Sequence, residues 1–181
     1  MKKTLSLLAF VLATGVVFAQ KKTTTSATVV FDATTEKDAL PKAENKTVIA
    51  SIDLKTGAVA FEAAVKNFTF SNPKIQEHFN GAQWLNSDTY PAFTFTGKFE
   101  KGVNVDLTKD GEYKVKVSGT LKVKDISQEL KTDGLLKVAA GKVSVSALFS
   151  VKLEDYKITG APVDAGKIAK EPKVTVSADF N

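Results

Sequence analysis

The chain has 181 residues, no cysteine and a formal net charge of +5 at pH 7. Without cysteine it can form no disulfide, no thiolate nucleophile and no cysteine-ligated zinc site, so its fold depends on packing alone. Its basic residues are all lysine. Arginine is absent, and its planar guanidinium group is the usual means of bidentate phosphate and base recognition. We therefore expect no nucleic-acid partner.

The N-terminal segment predicts an export signal. It has a basic start, Met1-Lys2-Lys3, then an apolar stretch from Leu5 to Val17 that is too short to span a bilayer, and ends in Val17-Phe18-Ala19. We therefore predict a signal peptide over residues 1–19, cleaved near Ala19-Gln20, and one domain over residues 20–181. The expected location is the periplasm or the cell exterior, with no transmembrane segment. The lysine- and threonine-rich residues 21–26 predict a loose start of the mature chain.

Apolar and polar residues alternate with period two through most of the remaining chain, which is typical of β-strands with one buried face. The predicted strands cover residues 25–32, 48–54, 59–65, 93–99, 103–107, 113–123, 127–138, 143–153 and 174–180. Turns at Gly57, Gly102, Gly111 and Gly141 predict hairpins, and hence an antiparallel meander. Such long amphipathic strands would leave an open sheet wet on one face, so we predict an all-β, antiparallel, roughly eight-stranded barrel.

One segment interrupts this pattern. Asn72-Pro73 has the residues of an N-cap followed by proline at the first helical position, and Gly81 is a suitable C-terminal stop. The sequence therefore predicts one short helix near 73–80. The loop at 155–172 is long for a hairpin connection and is expected to form an ordered flap near one end of the barrel.

The chain offers little for catalysis. His78 is its only histidine, and it is interpreted either as a structural hydrogen-bonding residue or as a polar contact to a ligand. A metal site needs three or four ligands, and no second histidine or cysteine is available. Neither a nucleophile elbow nor a glycine-rich phosphate loop is present. We predict no catalytic residues, no metal site and no enzymatic activity.

The aromatic residues allow two interpretations. They could form the filled core of a barrel, or they could line a cavity for a long apolar ligand, because barrels of about eight strands do either. Ligand sites are concave and mostly apolar, as such a lining would be. The set comprises Phe31, Phe61, Phe68, Phe70, Phe79, Trp84, Phe93, Phe95, Phe99 and Phe149.

Several landmarks together resemble the YceI-like family of exported, lipocalin-like barrels associated with polyisoprenoid and other lipid binding, in the variant common in Bacteroidetes. The most specific landmark runs from Tyr90-Pro91 to Phe95; the others are Phe68-Thr69-Phe70, residues 75–80, residues 84–89, residues 117–121 and residues 154–158. One position departs from the family pattern. Where relatives often have a His-Gly turn after the strand, this chain has Lys124-Asp125, so no contact of that histidine can be transferred.

The resemblance implies a protein that sequesters or carries a long-chain amphiphile such as an isoprenoid quinone, a polyisoprenoid or a fatty acid. It implies no covalent cofactor, a bound lipid, transient contact with a membrane surface and a monomer or homodimer. His78, Asn80 and Tyr90 are expected to hold the head group. The alternative is a non-enzymatic envelope or stress protein whose filled barrel acts through a protein partner. The predicted ligand-binding residues are Phe68, Phe70, His78, Phe79, Trp84, Tyr90, Phe93, Phe95, Leu121 and Phe149.

Overall fold

The computed structural model describes residues 21–100 and 109–180. The predicted signal peptide over residues 1–19, the predicted strand at 103–107 and the predicted turn at Gly102 lie outside the described residues. The described strands are β1 (Lys21–Asp32), β2 (Lys42–Asp53), β3 (Ala58–Ala64), β4 (Thr69–Phe70), β5 (Ala92–Phe99), β6 (Gly111–Val123), β7 (Ile126–Ala139), β8 (Lys142–Ser150) and β9 (Lys173–Phe180).

The sheet closes on itself into the predicted barrel. Eight strands pair in the cyclic order β1-β2-β3-β5-β6-β7-β8-β9, and β1 completes the ring by pairing with both β9 and β2. Every one of these pairings is antiparallel, and the short strand β4 adds to β2 beside the ring. The described chain is therefore an all-β, lipocalin-like barrel with the meander topology that the hairpin turns predict. Gly57 and Gly141 supply the positive φ of +75° that two of those turns require.

The predicted start of β2 at residue 48 is wrong, because the strand begins at Lys42. The reason is Asn45, a fully buried polar residue that interrupts the apolar pattern. Its amide Nδ2 donates to the Ala64 carbonyl at 3.0 Å, and its Oδ1 accepts from the Thr47 backbone at 2.9 Å. A buried asparagine with its bonds made is tolerated inside a strand.

The predicted loose segment at residues 21–26 is also wrong, since β1 begins at Lys21 and pairs with the end of β2. Lys21 lies opposite Asp53, and Thr24 lies opposite Ala50. The ladder uses backbone groups only, so polar side chains do not prevent it, and threonine favours strands. Register shifts around Ala27 mark bulges, which bend the strand as barrel closure requires.

The predicted helix is confirmed at its predicted bounds as α1 (Pro73–Asn80). The Asn72 side chain accepts a hydrogen bond from the Lys74 backbone at 2.9 Å, and Pro73 occupies the first turn. The helix turns Phe79 into the protein, where the side chain is buried. Among the described residues, no helix is long and apolar enough to cross a bilayer.

The two ends of the barrel are built differently. At the hairpin end, which carries the β2–β3 and β7–β8 turns, a set of fully buried side chains fills the interior: Ile52, Leu136, Val138, Val143 and Phe180. The opposite end carries α1 and the β8–β9 connection, which contains a 3-10 helix (Leu153–Tyr156) and the short helix α2 (Ala161–Asp164). This connection is ordered, as predicted, and Ala169 donates to the Ala33 carbonyl at 2.9 Å.

Candidate functional site

The barrel encloses a cavity of about 180 Å³ between its packed hairpin end and α1. Strands β1, β2, β3, β5, β6, β7, β8 and β9 all contribute inward-facing residues to its wall. The wall is almost wholly apolar, with hydroxyls of Thr94, Thr132, Ser146 and Tyr156 as its few side-chain polar groups. An apolar engineered cavity of about 150 Å³ stays dry and binds benzene, so a space of this size and lining suits an apolar group.

Seven of the predicted ligand-binding residues line this cavity. They come from five separate parts of the chain, which the barrel topology brings together. They are Phe68, Phe79, Trp84, Phe93, Phe95, Leu121 and Phe149.

The other three predicted residues lie elsewhere. Phe70 is buried behind the cavity wall, where its ring contacts that of Phe79 with a centroid distance of 4.8 Å. His78 is exposed on the outer face of α1. Tyr90 is partly buried in the loop before β5, with the Lys124 Nζ 5.9 Å from its ring centroid. The head-group role that we expect of His78 and Tyr90 therefore requires a ligand that reaches outside the cavity.

Phe79 is the centre of an aromatic cluster that covers the helical end of the cavity. Its ring centroid lies 6.0 Å from that of Phe31, 5.9 Å from that of Phe68 and 6.4 Å from that of Trp84. The rings are tilted against one another, which is the favourable arrangement for aromatic pairs. Next to Phe79, the Asn80 Oδ1 is buried without a hydrogen-bond partner, although its Nδ2 donates to the Gln76 carbonyl.

A pair of glycines shapes the part of the cavity wall that β5 and β6 form. Gly97 on β5 and Gly119 on β6 face each other across the ladder, and the Phe95 ring lies over them. A Cβ on either glycine would come within 2.7 Å of the Phe95 Cζ and within 2.5 Å of a backbone oxygen of the neighbouring strand. The absent side chains thus let the ring lie against the wall, which keeps the centre of the barrel open.

Tyr156 supplies the most buried polar group of the lining. Only 4% of the residue is exposed, and its hydroxyl lies 3.5 Å from the Leu121 carbonyl, to which it donates. Burial, with a smaller effect of the Asp155 carboxylate, raises the pKa of Tyr156 to about 12. The hydroxyl therefore stays protonated at neutral pH and can donate a hydrogen bond.

The aliphatic part of the lining was not predicted as part of the site from the sequence. These residues include Val29, Val59, Val117, Leu130, Val151 and Val174. Their strand alternation marks them as inward-facing, and that signal was available. The alternation does not say whether an inward residue borders a void or a packed neighbour, which depends on side chains of other strands.

A family model described as the YceI-like domain matches residues 12–180. The chain belongs to the YceI-like family. The match spans both the closed barrel and the cavity-lining segments described above. No significant match is found among curated proteins.

Solved structures of other proteins share the fold. A polyisoprenoid binding domain from Saccharophagus degradans, implicated in plant cell wall breakdown, is 14% identical with a TM-score of 0.72, covering 90% of this chain and 98% of its own. BcnA of Burkholderia cenocepacia is 18% identical with a TM-score of 0.68, covering 84% and 96%. The Campylobacter jejuni YCEI protein is 19% identical with a TM-score of 0.55, covering 75% and 81%. At these identities the likeness establishes the fold alone.

Within residues 21–100 and 109–180, no group of three or more histidine, cysteine, aspartate or glutamate side chains is arranged to hold a metal ion. The single histidine lies on the surface, away from the cavity. The chemistry that this site offers is the exclusion of water from an apolar group, with a few hydroxyls to orient it.

Proposed function

We propose that this YceI-like protein sequesters or carries a long-chain amphiphile, whose apolar chain occupies the barrel interior. The observation that supports it most directly is the cavity of about 180 Å³ with an almost wholly apolar, largely aromatic wall. An isoprenoid quinone, a polyisoprenoid and a fatty acid all have such a chain. Polyisoprenoid binding is the property by which the Saccharophagus degradans domain is described, which agrees with this ligand class.

The energetics of the proposal rest on the hydrophobic effect. Transfer of a chain from water is worth roughly 0.8 kcal/mol per buried methylene group, so about ten groups contribute about 8 kcal/mol. That is the scale of a micromolar Kd before the costs of ordering the ligand. Among the described residues that line the cavity, Tyr156 is the one with an ionisable side chain, and it stays neutral, so this part of the wall does not favour a charged head group.

The size of the cavity makes the proposal more specific. Ligand pockets usually have 300–1,000 Å³, and this cavity is smaller. A long chain therefore occupies it in part and widens it by rotating side chains such as Phe93 and Phe95, while the polar end remains outside. The filled-barrel alternative requires an interior without a cavity, and the structure has one.

The proposal includes the location in which the protein acts. With the predicted signal peptide over residues 1–19 removed, the carrier works outside the cytoplasm, as a monomer or homodimer that contacts a membrane surface transiently to collect or deliver its ligand. No covalent cofactor is involved, and the only bound group is the lipid itself.

Mass spectrometry tests the proposal. The full chain is purified from the cells that produce it, and its mass is measured under native conditions and again after organic extraction. We expect a stoichiometric isoprenoid or acyl species. The double variant Phe93→Ser/Phe95→Ser should lose it, because both rings line the cavity.

The matched control is Thr96→Ser/Lys98→Ser, which changes two exposed residues on the same strand and should keep the lipid. Circular dichroism checks that all variants fold. A ligand-free mass, combined with no uptake of quinone or fatty acid by the folded wild-type protein, would exclude the carrier function.

A further inference from the structure

We infer that the amphiphile passes sideways through the barrel wall, along the seam between β7 and β8, rather than through either end. This inference rests on the proposed function and adds its access route. The seam is defined as residues 126–133 of β7 facing residues 148–155, which form the end of β8 and most of the following 3-10 helix.

The strand register shows where the wall lacks its backbone bonds. The β7–β8 ladder runs from Ala139 opposite Lys142 to Gly134 opposite Ala147, and there it ends. β7 continues for another eight residues, Ile126–Asp133, which pair with β6 on their other side but not with β8. β8 continues to Ser150, paired with β9 alone. The two strands therefore have no ladder between them over this stretch.

Side-chain bonds hold the seam instead. The Thr132 hydroxyl donates to the Leu148 carbonyl at 3.4 Å, and the Gln128 Nε2 donates to the Asp155 carbonyl at 3.0 Å. Both bonds lie at exposed positions, where water can replace either partner at little net cost. Opening the seam breaks these bonds but no β-ladder.

The cavity reaches this seam from the inside. Leu130 and Thr132 line it from β7, and Phe149 and Val151 line it from the other side. Leu130 and Phe149 are partly exposed and do not pack against the buried core. An apolar chain in the seam would cover these partly exposed surfaces.

A groove reaches the end of the seam from the outside. It has a volume of about 740 Å³, and its lining includes Lys114, Lys116, Asp133 and Leu148, a residue that is 60% exposed. Val115, Gly134, Leu135, Ser146 and Ala147 line both the groove and the cavity, so a single layer of chain separates the two spaces. The groove gives the polar end of the amphiphile a place outside the apolar cavity, within reach of lysine ammonium groups.

The described residues at the two ends offer no comparable route. At the hairpin end, a ligand would have to displace Phe180, Leu136 and Val143, each at most 1% exposed. At the helical end it would have to displace Phe79 from its aromatic cluster and lift the segment that carries Leu153 and Tyr156, all buried. Displacing buried side chains exposes apolar surface at about 25 cal/mol per Å², whereas entry between Leu130 and Phe149, which are only partly buried, leaves those buried side chains in place.

Because the sequence contains no cysteine, two introduced cysteines can be cross-linked without competition from other thiols, and this tests the access route. Lys131→Cys/Ser150→Cys places two exposed thiols across the seam, and Lys137→Cys/Ser144→Cys, at a strand pair outside the cavity and groove linings, places two across the adjacent ladder as the control. Each variant is bridged with a short bismaleimide that contains a reducible disulfide, and intact mass confirms the bridge. Uptake of the fluorescent fatty acid cis-parinaric acid is then followed by stopped flow.

We expect the seam bridge to slow uptake at least tenfold, reduction to restore the rate, and the ladder bridge to have no effect. Equal rates for the bridged seam and the bridged ladder would overturn the inference. If the unbridged wild-type protein takes up no probe, the carrier function itself fails, and the access route fails with it.

A second variant tests the seam without any bridge. Gln128→Ala removes the bond to the Asp155 carbonyl, so uptake and release should both become at least threefold faster while the Kd stays unchanged. Gln83→Ala, a change at an exposed glutamine outside the seam, is the control and should have wild-type rates. Unchanged rates in Gln128→Ala, or a change in Kd with no change in uptake rate, would contradict a gating role for the seam.

Discussion

The two halves of the barrel use the same strands and similar side chains, yet one half is filled and the other is hollow. Strand β7 runs through both. Its Leu136 and Val138 are at most 1% exposed at the hairpin end, whereas Leu130, on the same face of the same strand, borders the cavity. The difference lies in what each side chain meets across the barrel. Alternation decides the direction of a side chain, and the partners on other strands decide whether the space is filled.

Glycines explain part of the contrast. At the hairpin end, Phe180 extends into the interior and is fully buried among aliphatic side chains. In the hollow half, Gly97 and Gly119 let the Phe95 ring lie against the wall, and Gly134 adds no side chain to the lining. A void of this kind loses dispersion contacts that a filled core would make, so the hollow half stabilises the fold less.

The largest expected effect is on the free energy of unfolding, and it is tested by removing one phenylalanine from each half of the barrel. Phe180→Ala should lower the free energy of unfolding by about 3–5 kcal/mol, because it removes a fully buried ring from a packed core. Phe149→Ala should lower it by about 1–2 kcal/mol, since that ring is partly exposed and already borders the cavity. Urea denaturation followed by circular dichroism measures both values. Equal losses would mean that the ring of Phe149 is packed as firmly as that of Phe180.

An intermediate effect is expected from adding a side chain at one glycine of the pair in the cavity wall. Gly119→Ala places a Cβ 2.4 Å from the Thr96 carbonyl oxygen and 2.7 Å from the Phe95 ring. We expect a loss of about 1–3 kcal/mol, as for other overpacked positions, together with a smaller cavity and weaker uptake of cis-parinaric acid.

The matched control is Gly111→Ala in the same strand, where the nearest contact of a Cβ would be 3.4 Å, to the Tyr113 hydroxyl. Its stability should change by less than about 0.5 kcal/mol, as for other surface substitutions. If Gly119→Ala were as stable as wild type and took up the fatty acid equally well, the role of the glycine pair in keeping the cavity open would be refuted.

The features that could be predicted from the sequence are those set by local chemistry. The helix α1 is bracketed by Asn72, Pro73 and Gly81 within one short segment, so its bounds followed directly. The closed meander followed from strand alternation and glycine turns. The start of β2 did not, because the bonds that make buried Asn45 acceptable come in part from Ala64, which belongs to another part of the chain.

The cavity was even harder to predict from the sequence than the start of β2. Six of the seven predicted residues that line it are aromatic, and they could be predicted because aromatic residues are large and mostly face inward. Gly97 and Gly119 became meaningful only when the register placed them opposite each other beneath Phe95. The gap in the β7–β8 ladder was likewise not predicted from the sequence, because more exposed and less exposed residues alternate in both the paired and the unpaired part of β7.

The smallest expected effect concerns Tyr156, the last residue of the 3-10 helix, which lines the cavity. Its pKa is raised from 10.0 in the unfolded chain to about 12 in the folded protein. The folded state thus holds its proton at pH values where the unfolded state has lost it. The stabilisation from this difference is complete below pH 10 and is lost progressively as the pH rises from about 10 to about 12.

Tyr156→Phe removes this titration and only one long hydrogen bond, 3.5 Å from the Leu121 carbonyl. At pH 8 we expect the variant to differ from wild type by no more than about 1 kcal/mol. Between pH 10 and pH 12 the wild-type free energy of unfolding should fall more steeply than that of the variant, since the other ionisable groups are the same in both proteins. Urea denaturation across this range measures the difference, and the ultraviolet absorbance of tyrosinate identifies the residue that ionises last. Parallel pH profiles would show that Tyr156 is open to water, and that the hollow half is not closed at this point.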